Sequence, residues 1–169
     1  LPWYLLMGQE GSGKTSLLMA NGLQSPLDRS DAAPAARNAF CDWYFADKAV
    51  LVDTPGRYLS QPDGTPDAAG WATLLGLLRA RRRSSPLNGV VVTLSVQALL
   101  ASNEHDLDLH ARQLHARLQE IRQTLRVDVP VYLVLTQADH LPGFSEFFDT
   151  PDAQVGVGVL GEALSGGAA

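Results

Sequence analysis

A chain of 169 residues, 46% of them hydrophobic, is long enough to bury one full core and fits a single domain. Its formal net charge of −5 and isoelectric point near 5.2 argue against nucleic acid as a bulk electrostatic partner. The one cysteine, Cys41, has no partner for an internal disulfide, no Cys/His spacing resembles a zinc site, and no apolar stretch reaches the roughly 18 residues that span a bilayer.

These features suggest a reducing compartment and a chain that does not itself cross a membrane; the opening at Leu1, already in a strand, reads as a domain of something longer. The first element is an apolar run over residues 3–7, with a buried strand at 5–7, which feeds into Gly8-Gln9-Glu10-Gly11-Ser12-Gly13-Lys14-Thr15. That is the G-x4-G-K-[ST] pattern of a phosphate-binding loop, expected by chance in roughly half a per cent of chains this long, even before a flanking strand and helix are required. A glycine turn beside a solvated lysine is therefore the weaker reading. Gly8, Gly11 and Gly13 allow the backbone to turn tightly and aim N–H groups at phosphate oxygens. The candidate nucleotide contacts are Gln9, Glu10, Gly11, Ser12, Gly13, Lys14, Thr15 and Ser16, with Lys14 reaching the β and γ phosphates and Thr15 offering a hydroxyl to Mg²⁺. Glu10 is negative where phosphates approach, so it has to point away or weaken binding.

A helix over residues 14–23 ends at Gly22 and Pro26, and residues 24–39 read as a loop. Two strand-like runs, 40–46 and 49–53, form a hairpin through Asp47-Lys48. Trp43 and Tyr44 alternate across the first, so one packs inward and the other faces the loop or a partner. The second ends in Asp53, followed by Thr54-Pro55-Gly56. This D-x-x-G places a carboxylate at the C-terminal edge of a strand beside the phosphate loop: Asp53 is the candidate holder of a Mg²⁺-bound water, and the Gly56 N–H the candidate contact to a γ phosphate. A plain turn-forming Asp is the alternative. Residues 55–70, with three Pro and three Gly, read as a mobile loop.

A helix follows at 71–83, with Leu74, Leu75, Leu77 and Leu78 on its buried side, and its end carries Arg79, Arg81, Arg82 and Arg83. These read as a solvated helix terminus, with anionic lipid headgroups as the alternative. Residues 89–95 form a central strand. A helix over 106–126 has one face made by Leu107, Ala111, Leu114, Leu118, Ile121 and Leu125. His105, His110 and His115 rotate around it and cannot share a metal.

Pro130 starts a strand over 131–135, closed by Thr136-Gln137-Ala138-Asp139. Asp139 there can accept two hydrogen bonds from the N1–H and 2-amino group of guanine, a pattern adenine lacks, so GTP is favoured over ATP. The usual signal is [NT]-K-x-D; Gln137 stands in the lysine position and offers an aliphatic stem but no charge. Phe144, Phe147 and Phe148 match helical spacing and are expected to be buried, with a docking surface as the alternative. Residues 155–160 suggest a last edge strand, and the domain is taken as 1–160 with a disordered tail at 161–169. The alternation of strands and helices gives an α/β fold: a P-loop NTPase three-layer sandwich with a mostly parallel sheet, one antiparallel hairpin strand and a small-GTPase-like order.

The segments LPWYLLMGQEGSGKT (1–15), CDWYF (41–45), VLVDTPGRY (50–58), NGVVVTLS (88–95), PVYLVLT (130–136) and GFSEFFD (143–149) resemble the IcmF/TssM family of type VI secretion proteins. The resemblance implies a cytoplasmic, nucleotidase-like domain of an inner-membrane component, lying between transmembrane helices and upstream of a large periplasmic part. It also implies partners: a TssL/DotU-like inner-membrane protein, an outer-membrane lipoprotein and the baseplate. Contact with the membrane itself would then come only through parts of the parent protein outside this chain.

Two departures bear on mechanism. No Thr occurs between Gly22 and Cys41, where GTPases of the hairpin-containing class place a Mg²⁺-completing switch threonine. After D-x-x-G the chain has Arg57 instead of a water-orienting Gln; a guanidinium cannot accept a hydrogen bond but can neutralise charge on a transferred phosphoryl group. A surface arginine without a role is the alternative. The favoured expectation is a slow nucleoside triphosphatase in which Lys14, Asp53, Gly56 and Arg57 act on phosphates bound with Mg²⁺. A nucleotide-holding module with negligible turnover and an empty scaffold are its rivals.

Overall fold

The computed structural model describes residues 1–23, 41–148 and 161–164; the expected loop at 24–39, edge strand at 155–160 and tail end at 165–169 lie outside them. The elements are β1 (Trp3–Met7), α1 (Lys14–Ala20), β2 (Asp42–Phe45), β3 (Val50–Asp53), α2 (Arg57–Ser60), α3 (Thr65–Arg81), β4 (Gly89–Ser95), α4 (Val96–Ala101), α5 (Glu104–Leu125), β5 (Val131–Thr136), a 3₁₀ turn (Ala138–His140) and α6 (Phe144–Phe148). The five strands form one sheet in the order β2-β3-β1-β4-β5. All pairs are parallel except β2 with β3, the antiparallel hairpin that the Asp47-Lys48 turn demands.

β1 sits at the centre and is buried on both faces, which is why it reads as a continuous apolar run without alternation. Leu5 and Met7 join Val52, Val90 and Val92 in the larger core cluster, against Tyr58 and Leu59 of α2, Trp71, Leu74, Leu75 and Leu78 of α3, and Ile121 and Leu125 of α5. Leu6 faces the other way, into a smaller cluster with Leu18 of α1 and Tyr44 of β2. Trp43 takes the opposite face from Tyr44 and meets Trp3 edge-on, with ring centroids 5.2 Å apart, while Tyr44 packs on the α1 face.

Residues 55–70 are not a loop throughout. They hold α2 and the first turns of α3, which starts at Thr65 rather than at 71. Pro66 sits in the first turn, where its missing N–H costs nothing, and Asp67 adds a first-turn acid. Proline content read as a loop signal was here a helix start. Leu77 is exposed, because Trp71, Leu74, Leu75 and Leu78 define the i, i+3, i+4, i+7 stripe and Leu77 falls outside it.

α4 had no expectation, being too short to show periodicity; Ser95 caps it by accepting from the Ala98 N–H at 3.1 Å. Asn103 caps α5 in the same way through the Asp106 N–H at 2.9 Å, so that helix begins at Glu104. Only its C-terminal half covers the core: Leu107 and Ala111 are exposed. At the far end of α3, Arg82 is not simply solvated. Its guanidinium donates to the Leu1 carbonyl at 3.2 Å and lies 4.6 Å from the Trp3 ring centroid.

Candidate functional site

The loop after β1 is shaped by close approach. A Cβ on Gly8 would lie 2.2 Å from the Thr93 hydroxyl of β4 and 2.5 Å from that of Ser12, so only glycine fits. The two hydroxyls bond at 2.7 Å, and Thr93 in turn donates to the Met7 carbonyl at 3.3 Å. Gly11 and Gly13 adopt φ of +75° and +79°, the left-handed region where a side chain is strained. The chain then enters α1 at Lys14, whose buried ammonium curls back to donate to the carbonyls of Gly8 at 3.0 Å and Gln9 at 3.4 Å. Burial lowers its pKa, an effect opposed by the charges of Asp53 and Glu10.

Beside the loop, the end of β3 is pinned to β1 by Thr54, whose hydroxyl donates to the Leu6 carbonyl at 2.7 Å. That places Asp53 next to α1. Its Oδ2 accepts from the Thr15 hydroxyl at 3.0 Å, while its Oδ1 is buried and has no hydrogen-bond partner. Only 6% of Asp53 is exposed. Burial pushes its pKa up to about 6, helped by Asp42 and opposed by Lys14 and the Thr15 bond. Gly56 packs directly on the loop: a Cβ there would come within 2.4 Å of the Glu10 nitrogen.

Arg57 lines the same cavity, but its guanidinium is committed to Asp67 of α3 at 3.1 Å. Asp67 is wholly buried and also accepts from the Asp63 N–H at 3.0 Å.

On the other flank, the end of β5 is tied to the loop twice. Thr136 donates to the Ser12 carbonyl at 2.7 Å, and Gln137 donates to the Gly11 carbonyl at 3.2 Å while accepting a very short bond from Ser95. Asp139 stands in the 3₁₀ turn with its carboxylate largely exposed, 4.0 Å from His140.

The structure thus brings Lys14, Thr15, Asp53, Gly56 and Arg57 to one cavity with Glu10, Gly11, Ser12, Gly13, Ser16 and Gln137. Gln9 opens instead onto a neighbouring cavity between the loop and α4–α5, Thr136 braces the loop from behind, and Asp139 lies on neither. Three contributors had no expectation: Asp42, Thr54 and Asp67. Asp42 was countable in principle, since a two-residue hairpin turn at Asp47-Lys48 sets it opposite Asp53. Asp67 gave no signal, because its partner Arg57 is ten residues away across a turn that only the fold closes.

The sequence matches the family described as the IcmF-related N-terminal domain over residues 64–168. The chain belongs to the IcmF/TssM family. This IcmF-related chain is also 43% identical over 155 residues to the type VI secretion system component TssM1 of Pseudomonas aeruginosa; the aligned region covers 89% of this chain and 14% of that protein's length. Among solved structures, it aligns with the GDP complex of an ADP-ribosylation-factor-like GTP-binding protein, the small COPII coat GTPase SAR1 of Encephalitozoon cuniculi. That alignment covers 89% of this chain and 74% of the other at 14% identity, with a TM-score of 0.28, too low to carry an argument. No helix among the described residues is long and apolar enough to cross a membrane.

Proposed function

We propose that this IcmF-related domain binds a nucleoside triphosphate with Mg²⁺ at the cavity over residues 8–15, GTP in preference to ATP, and hydrolyses it slowly as a conformational switch. The observation that carries the reading is the meeting, at the ends of adjacent parallel strands, of buried Lys14, the Thr15–Asp53 hydrogen bond and an Asp53 oxygen with no partner. An orphaned buried carboxylate oxygen beside a threonine hydroxyl suits a hard cation with oxygen ligands.

Thr15 and Asp53 would hold Mg²⁺, which when bound neutralises charge on the phosphates. Lys14 leaves the carbonyls of Gly8 and Gln9 for the phosphate oxygens, a stronger, charge-assisted partner. Gly56, pressed against Glu10, brings its N–H to the γ phosphate, so the presence of that group is felt at α2. Gln137 is fixed on the Gly11 carbonyl at the edge of the cavity, and Asp139, exposed in the following turn, is the candidate acceptor for guanine in preference to adenine.

A second reading, a module that holds nucleotide without turnover, is favoured by one observation. Arg57 is held by Asp67 and is not released to the phosphates in this state. In either reading the similarity to a type VI secretion component supports a place in the parent protein's membrane complex. That place is the cytoplasmic face of the inner membrane, with TssL/DotU-like and baseplate proteins as partners.

The test is calorimetric titration with GDP and ADP in Mg²⁺ buffer, using Lys14→Ala as the control, followed by single-turnover phosphate release from GTP. We expect GDP binding that the mutation abolishes, weaker ADP binding and slow release. Equal affinity for both nucleotides would remove Asp139 from the site. No binding of either would leave a scaffold, and binding without release would establish the second reading.

A further inference from the structure

A second carboxylate, Asp42, lies beside the proposed Mg²⁺ site. In the β2–β3 hairpin the Cα atoms of Asp42 and Asp53 are direct antiparallel partners. Directly opposed residues project to the same face of a sheet, here the face of α1, where the next pair along, Tyr44 and Leu51, packs with Leu18. Asp42 and Asp53 accordingly line one cavity with Lys14 and Thr15. Like charges directly opposite each other destabilise a sheet. Lys14 donates to the carbonyls of Gly8 and Gln9, and its charge also acts on Asp53. Asp53 is more than nine-tenths buried, and its Oδ1 has no partner. Two opposed carboxylates, one with an orphaned oxygen, beside a threonine hydroxyl describe a place for a cation.

We propose that Asp42 is a positioning residue of this cation site, accepting hydrogen bonds from water on the Mg²⁺ that Thr15 and Asp53 hold. It thereby does from β2 what a switch threonine would otherwise do from the loop before it. Mg²⁺ keeps several of its waters and is usually held through one or two carboxylates, so a second carboxylate across the ladder fits its chemistry. Carboxylates acting on a metal through its outer shell typically change affinity by about 10–100-fold. The proposal rests on the nucleotide reading, since the ion would be shared with phosphates.

The test is titration of the 169-residue chain with Mn²⁺, followed by loss of the free-ion electron paramagnetic resonance signal, with GDP and in parallel ADP present. It compares wild type, Asp42→Asn, Asp42→Glu and Asp53→Asn. We expect Asp42→Asn to weaken Mn²⁺ binding about tenfold, and Asp42→Glu to retain most of the wild-type affinity. Thermal melts give an independent readout. Added Mn²⁺ should raise the melting temperature of Asp42→Asn less than that of wild type. Mn²⁺ affinity within twofold of wild type for Asp42→Asn, with loss in Asp53→Asn, would overturn the role of Asp42 and leave the metal site standing. Absence of Mn²⁺ binding by the wild type with either nucleotide would overturn both.

Discussion

Near β1 and β3, charged side chains are buried: Lys14, Asp53 and Asp67 are each less than a tenth exposed, and Asp67 is not exposed at all. At β5, on the other side of the sheet, apolar side chains are left out: Val131, Tyr132, Leu133 and Leu135 are 44–60% exposed, and Phe147 of α6 is exposed as well. The two regions invert the ordinary rule in opposite directions. Burying charge is costly unless each group is paired, and the loop region pairs nearly all of its groups at short range, through Thr15 to Asp53, Arg57 to Asp67 and Lys14 to backbone carbonyls. Exposing β-branched and aromatic residues on a strand that is the sheet's edge among the described residues forgoes stabilisation and invites pairing with another chain. The expectation that Phe144, Phe147 and Phe148 would be buried holds only in part: Phe144 and Phe148 are half-buried and Phe147 is exposed. α6 is a five-residue helix in which Phe148 meets Phe144 and Phe147 at 4.6 and 5.0 Å between centroids.

Perturbing the charged region should have the larger effects. The largest is set by Asp53, whose pKa stands at about 6 when folded against 3.8 for a free carboxyl. The folded state therefore binds the proton more tightly, and stability falls as pH rises from about 4 to about 6, then levels off. In metal-free buffer the unfolding free energy of Asp53→Asn relative to wild type should rise by on the order of 3 kcal/mol between pH 4 and pH 7. A flat difference in urea melts would show that Asp53 is not desolvated.

Next comes Asp67→Ala, which removes the buried acceptor of the Arg57 guanidinium and the Asp63 N–H. We expect a loss of about 2–3 kcal/mol in the same melts, with Arg57 released towards the cavity. If Arg57 reads the γ phosphate, single-turnover release should rise in this variant even as stability drops. A smaller effect, about 1–2 kcal/mol, is expected for Gly56→Ala, whose new methyl meets backbone at Glu10 and not the end of a flexible side chain. Its loss of nucleotide affinity should exceed its loss of stability. At the other region Leu133→Lys should change stability by no more than about 0.5 kcal/mol while reducing self-association in sedimentation velocity. A cost of several kcal/mol would mean that β5 is covered in solution, which would erase the contrast.

Much of the architecture was legible because local chemistry and tertiary structure agree. Residues 8–15 announce their turn through glycines that sterics then require, and the Asp47-Lys48 hairpin sets the β2–β3 pairing. The long helix α5 showed its period through Leu114, Leu118, Ile121 and Leu125, although its start lay two residues earlier, at a cap. Where the reading failed, the deciding contact was distant. Proline and glycine in residues 55–70 look like a loop until Tyr58 and Leu59 are seen packed in the core and Asp67 paired with Arg57.

The amino-acid sequence by itself determined the strand-helix alternation, the loop between β1 and α1, the D-x-x-G at the end of β3 and membership of the IcmF/TssM family, because spacing, turn chemistry and family-specific segments are local properties of the chain. The tertiary structure alone decided which charges share a cavity. Arg57 meets Asp67 only when α3 folds back, and Gln137 reaches Gly11 across 126 residues of chain. Coulomb energy and desolvation depend on distance in space and on burial, and neither is written at any one position of the sequence.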